Sequence, residues 1–190
     1  KLIELTIKTS SGRVPVLAGT GSNSTDEAIS LTRHAMQVGA DGALIVTPYY
    51  NKPTQLGLYK HYMAIADSVD LPIIIYNIPS RSVIDMSIQT MCDLAKHPNI
   101  VGVKDASNDI ARVSRLNNLL DRRKFCQLSG EDPTLLGFLA QGGEGIISVT
   151  ANIAPKEIAE IITLWKSNKI QEAQKLHSNL MPLNDALFSE

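Results

Sequence analysis

A chain of 190 residues that is 44% hydrophobic is long enough to bury one sizeable core. Its 18 Lys and Arg against 19 Asp and Glu leave a net charge of −1, which argues against a nucleic-acid partner, because neutralising phosphates calls for a basic excess. At 19% the charged residues are too few and too mixed for a disordered chain, and the longest apolar run, residues 71–76, falls far short of the roughly 20 residues of a membrane-spanning helix.

Residues 1–8 read as an amphipathic helix already under way, and no charged-then-apolar leader opens the chain, so a piece of something longer is expected. Short apolar runs then recur at 14–18, 43–46, 72–76, 100–104, 125–129 and 145–149. They are rich in β-branched residues, do not alternate strictly and end in Gly, Thr, Asn or Asp. Such runs suggest strands of a parallel sheet covered on both faces.

The stretches between them read as helices. Ser24-Thr25-Asp26-Glu27 fits a capping box in which Ser24 caps the first turn and Glu27 reaches back to it. Ala28, Ile29, Leu31, Ala35 and Met36 follow at helical spacing. Pro133 and Pro155 suit the first helical position, where a missing N–H costs nothing. Arg122-Arg123-Lys124 reads as a solvated turn between two periodic segments, and residues 170–187 as an added C-terminal helix. Cys92 and Cys126 have no second pair to build a framework and are expected to be reduced core residues of a cytoplasmic protein.

The repeating unit is strand, loop, helix, at intervals of about 19–30 residues. Right-handed crossovers at this spacing give either an open doubly wound sheet or a closed (β/α)8 TIM barrel. Gly19-Thr20-Gly21-Ser22-Asn23-Ser24 lacks the third glycine of a dinucleotide fingerprint. Six strands are two short of a barrel, which matches a chain that begins inside a helix. The expected organisation is a barrel portion over 1–166, lacking its first two β/α units, followed by the start of a helical extension over 167–190.

Lys104 ends an otherwise apolar strand, on the alternating face it would share with Gly102 and Ile100. An ammonium held there is poorly solvated, which favours the neutral, nucleophilic amine; the other reading is a lysine snorkelling to solvent. Tyr76 ends the preceding strand, sharing a face with Ile74, and could shuttle a proton beside Lys104 or serve as a core aromatic. Arg81, in the loop after Tyr76, could grip a carboxylate bidentately or sit on the surface. His34, His61, His97 and His177 are scattered without ligand spacing, so no metal site is expected. Neither a nucleophile elbow nor a P-loop is found.

Three segments carry a resemblance: Val46-Thr47-Pro48-Tyr49-Tyr50-Asn51, Tyr76-Asn77-Ile78-Pro79-Ser80-Arg81 and Val101-Gly102-Val103-Lys104-Asp105-Ala106-Ser107. With Leu128-Ser129-Gly130-Glu131-Asp132 and residues 142–150, they resemble the 4-hydroxy-tetrahydrodipicolinate (dihydrodipicolinate) synthase family. That family belongs to the pyruvate-dependent class I aldolases related to N-acetylneuraminate lyase. The resemblance implies that Lys104 forms a Schiff base with pyruvate, that Tyr76 passes protons, and that Arg81 holds the carboxylate of aspartate 4-semialdehyde. It implies that Gly130 and the backbone of Ile147 line the pyruvate pocket, and that Tyr50 reaches across a dimer interface in a proton relay. Asn23, Glu27 and Tyr49 match positions that bind the inhibitor lysine. Pyruvate would bind covalently as substrate, with no cofactor, in a homotetramer built as a dimer of dimers. The family's Gly-Thr-Thr-Gly-Glu motif has no counterpart here. The alternatives are a related aldolase for sugar acids, such as an N-acetylneuraminate or 2-keto-3-deoxy acid lyase, and a catalytically dead barrel acting as a scaffold. Arg81 favours a short charged aldehyde over a polyhydroxylated chain.

Overall fold

The structure is a computed structural model that describes residues 1–189. Helix α1 spans Leu2–Ser10, followed by β1 (Leu17–Gly19), α2 (Thr25–Gln37), β2 (Gly42–Val46), α3 (Gln55–Ser68) and β3 (Ile73–Asn77). Next come α4 (Pro79–Ser82), α5 (Ile88–Leu94), β4 (Ile100–Asp105), α6 (Ala111–Asn117), β5 (Cys126–Ser129) and α7 (Leu135–Ala140). The last elements are β6 (Gly145–Ile146), a 3-10 turn at Thr150–Asn152, α8 (Pro155–Lys166) and α9 (Ile170–Ala186). The strands form one sheet in the order β1-β2-β3-β4-β5-β6, with every adjacent pair parallel. The result is a six-stranded half-barrel with its helices on the outer face.

Side-chain caps start three of the helices, the first of them at Ser24 as expected. Ser24 Oγ accepts from Glu27 N, Thr54 Oγ1 from Gly57 N and Ser87 Oγ from Thr90 N, each satisfying an amide that the first turn leaves free. Pro155 sits at the first position of α8 as expected. Two expectations fail. Only half of the capping box forms, because the Glu27 carboxylate accepts from Ser22 Oγ at 2.5 Å instead of reaching Ser24 N, which donates to Ser22 Oγ. Pro133 lies in the turn before α7, which begins two residues later, since Ser129, Glu131 and Asp132 already tie up that loop.

The outer face of the sheet carries the main core. Ala43, Ile45, Ile73, Ile75 and Val103 are buried there against Leu58, Tyr62, Ile65, Met91 and Leu94 of α3 and α5. Each such aliphatic contributes about 1.5–3 kcal/mol by leaving water. The inner face is covered less than continuous apolarity suggests: Leu17 is 42% exposed, and Leu44 and Val46 are half-buried. A second cluster joins Leu135 and Leu139 of α7, Ile158 and Ile161 of α8, and Leu180 of α9.

The register corrects one placement. Val46, Tyr76 and Lys104 share one row, which continues through Leu128. Ile100 does not share the inner face with Lys104. The β3–β4 ladder slips between Ile73 and Ile74, so that Ile73 pairs with Ile100 but Ile74 with Gly102. The extra residue, Val101, turns Ile100 over into the outer core, where it is 2% exposed. Strand β6 stops at Ile146, although Ile147 N still donates to Ser129 O, because the Asp132 carboxylate captures the amides of Val149 and Thr150.

Candidate active site

Tyr76 and Lys104 stand side by side at the C-terminal ends of β3 and β4, the end where parallel α/β architectures place their sites. Parallel register puts both side chains on the inner face, and Lys104 Nζ lies 3.9 Å from the centroid of the Tyr76 ring. Lys104 is only 7% exposed. Burial lowers its pKa, with the charges of Glu131 and Asp132 working the other way. The snorkelling reading therefore fails: the amine is held inside, where its neutral, nucleophilic form is favoured.

Gly130 makes that packing possible. A Cβ there would come within 2.6 Å of Ala106 Cβ and 3.1 Å of Lys104 Cε, so only glycine lets the β5 loop close over the lysine stem. Glu131, next in the chain, sits at the same mouth. Burial and then the neighbouring Asp132 raise its pKa, while Lys104 and Arg81 pull it down. The Tyr76 phenol is pushed up by burial first and Glu131 second, with Arg81 opposing. Two acids that hold their protons more tightly flank an amine that holds its proton less tightly, an arrangement suited to proton transfer around a carbonyl addition.

Arg81 is carried on the one-turn helix α4, which ends at Val83 with φ 67, a left-handed conformation that strains a β-branched residue. With Tyr76 it forms the wall between two clefts. One, of about 470 Å³, is also lined by Leu44, Val46 and Tyr49; the other, of about 410 Å³, by Gly130, Glu131, Val149 and Phe188. Of the expected residues, Tyr76 and Arg81 line both clefts, Tyr49 the first and Gly130 the second, and Lys104 lies against the Tyr76 ring.

Others lie apart. Tyr50, with φ 74, is 88% exposed and lines neither cleft. Ile147 is half-buried one residue beyond β6. Glu27 is exposed, and Asn23 is half-buried with its carbonyl accepting from Asn51 Nδ2 at 3.0 Å. Sequence reasoning gave no role to Glu131 or to the polar residues that follow Tyr76 and Lys104; the short side chains in Leu-Ser-Gly-Glu-Asp were the available signal. Among the described residues no group of three or more His, Cys, Asp or Glu is placed to hold a metal ion. Cys92 and Cys126 are unpaired and half-buried, and burial followed by Glu144 pushes the Cys126 thiol up to about 11. Among the described residues no helix is long and apolar enough to cross a membrane.

Known proteins share this sequence and fold. The chain is 60% identical over all of its 190 residues to the 4-hydroxy-tetrahydrodipicolinate synthase of Rhodospirillum centenum, of which it spans 65%. The crystal structure of dihydrodipicolinate synthase from Aquifex aeolicus superposes with a TM-score of 0.96 at 46% identity, covering 100% of this chain and 64% of that one. That of the chloride-inhibited dihydrodipicolinate synthase from Acinetobacter baumannii, complexed with pyruvate, superposes at 0.94 with 48% identity, covering 99% and 64%. The chain therefore spans a little under two thirds of the length of these relatives. The dihydrodipicolinate synthetase family model matches residues 1–190, the whole chain, and the chain belongs to that family.

Proposed function

We propose that the protein to which this chain belongs condenses pyruvate with L-aspartate 4-semialdehyde to give 4-hydroxy-tetrahydrodipicolinate, with no cofactor. The observation that carries this reading is the buried Lys104 amine over the ring of Tyr76, a phenol that also feels the charge of Arg81. Neutral Lys104 Nζ adds to the keto carbon of pyruvate, and loss of water leaves the imine. Loss of a methyl proton then gives the enamine, whose carbon attacks the aldehyde carbon while the new alkoxide takes a proton delivered through Tyr76. The amino group of the semialdehyde finally closes the ring on the imine carbon and releases Lys104. Arg81 holds the semialdehyde carboxylate, and Gly130 with the backbone of Ile147 borders the pyruvate.

The remaining assignments belong to the same reading. The six units, residues 1–166, are the later part of a (β/α)8 barrel lacking its first two, and a helical extension follows from 167. The exposed inner face and the single-sided pairing of β1 and β6 support this. Tyr50, projecting outward from a left-handed backbone, serves a neighbouring copy in a cytoplasmic homotetramer of paired dimers. Asn23 and Tyr49, on the loops after β1 and β2, and Glu27, in the first turn of α2, bind lysine.

Borohydride reduction of the intact protein with pyruvate, followed by peptide mass mapping, tests the chemistry. A reduced adduct is expected on Lys104 and absent from Lys104→Met, and Tyr76→Phe is expected to slow trapping by about 10²–10⁴-fold. An unmodified Lys104 in folded, intact protein overturns the reading. Turnover with aspartate semialdehyde but not with N-acetylneuraminate separates it from the sugar-acid aldolases.

A further inference from the structure

On the opposite side of the sheet from Lys104 and Tyr76 lies a buried polar cluster that the chemistry above does not use. Its centre is Arg112 of α6, 7% exposed. Arg112 Nε donates to Asp105 Oδ2 at 3.1 Å, one terminal nitrogen to Asp85 Oδ2 at 3.2 Å, and the other to the Met86 carbonyl at 2.5 Å. Asn77, fully buried, donates to Asp85 Oδ1 at 2.8 Å and accepts from Met86 N at 3.0 Å.

The sequence positions of these partners give the cluster its meaning. Asp105 follows Lys104, and Asn77 follows Tyr76. Along a strand, successive side chains point to opposite faces, so each partner is the outward neighbour of an inward reactive group. Asp85 and Met86 close the segment that leaves β3 and carries Arg81 on α4. One guanidinium therefore ties together the ends of two strands and the return of the Arg81 segment. The cluster converges on the immediate neighbours of Lys104 and Tyr76 and on the end of the segment that carries Arg81. Replacing a buried ionic group by well-packed apolar residues is often neutral or stabilising, so stability alone is a poor reason for burying one.

We infer that Arg112 is a positioning residue: through Asp105, Asn77 and Asp85 it sets the mutual geometry of Lys104, Tyr76 and Arg81. This inference rests on the reaction proposed above. Its arms are separable. Asp85, with 49% of its side chain exposed, tethers the Arg81 segment, and its other partner, Asn77, keeps its bonds to Met86 N and Asp105 without it, whereas the Asp105 arm acts on the Lys104 strand.

The test compares parent, Asp85→Ala, Arg112→Lys and Arg112→Met in the intact protein, by thermal unfolding, the rate of borohydride trapping with pyruvate, and both KM values. Asp85→Ala is expected to raise KM for the semialdehyde about tenfold and leave pyruvate trapping within about twofold, since misplacement by about 1 Å can cost 10²-fold. Arg112→Lys keeps one ion pair but cannot span three acceptors; it is expected to recover most of the thermal stability lost in Arg112→Met, yet to trap pyruvate about tenfold or more slower than the parent. If Asp85→Ala and Arg112→Lys shift only the melting temperature, with both KM values and the trapping rate at parental levels, the positioning role is overturned. Parent protein that forms no adduct at all overturns the proposed reaction itself, a result distinct from any ordering among the variants.

Discussion

Lys104 and Gly130 show how one residue without a side chain governs the chemistry of another. The lysine is kept from water because the β5 loop passes directly over its stem, and that approach leaves no room for a Cβ. Gly130→Ala is expected to cost about 1–3 kcal/mol through overpacking, because the nearest obstacle is Ala106 Cβ with its own backbone 3.3 Å away, not the end of a flexible side chain. It is also expected to slow pyruvate trapping by displacing Lys104. Urea denaturation alongside the trapping rate checks both, and unchanged values in each would remove Gly130 from this role. Lys104 and Tyr76 were legible because each ends an apolar run that nothing else explains. Glu131 was not, because a carboxylate in a polar loop looks the same whether it faces solvent or a buried amine.

At the scale of elements, the β3–β4 ladder illustrates where sequence pattern stops. Period-two alternation places Ile100 inward with Lys104, but the single extra residue at Val101 reverses it. A bulge leaves no composition signal inside a run that is apolar throughout. Helix packing carries a second consequence at His61 of α3, which is buried and whose Nδ1 lies 2.9 Å from Thr25 Oγ1 in the first turn of α2. Burial lowers the imidazole pKa from 6.5 to about 4. As pH falls, the unfolded chain therefore binds that proton first. The folded state loses stability between these two values, by about 3 kcal/mol when the window is crossed. Denaturation midpoints measured from neutral pH down to about pH 4 are expected to fall less steeply in His61→Gln than in the parent; parallel slopes would show that burial does not lower the His61 pKa.

For the whole molecule, the sheet and its helices do not close on themselves by sequence-local contacts alone. Helix α9 is held over the last units by the Leu180 cluster and by a buried hydrogen bond from Thr150 Oγ1 to Asn184 Oδ1 at 2.6 Å. The same turn is fixed by Asp132, whose carboxylate accepts from Ser148 Oγ and from the amides of Val149 and Thr150. Asn184→Ala is expected to cost about 1–3 kcal/mol, because the fully buried Thr150 hydroxyl loses its acceptor. Lys169→Ala, which removes only an exposed ion pair with Glu172, is expected to stay within about 0.5 kcal/mol. Equal effects of the two in chemical denaturation would remove the clasp from the account.

The strand–helix alternation, the parallel sheet, the helix starts at Ser24 and Pro155 and the pairing of Tyr76 with Lys104 were all legible in the chain. These follow from short-range rules: apolar runs, caps, and the alternation of side chains along a strand. That Ile100 faces outward, that Glu27 serves Ser22 and that Arg112 gathers the neighbours of the reactive groups emerges first in the folded chain. Each of those depends on which distant atom arrives first at a buried donor or acceptor, and burial enforces that pairing without leaving a periodic trace in the chain.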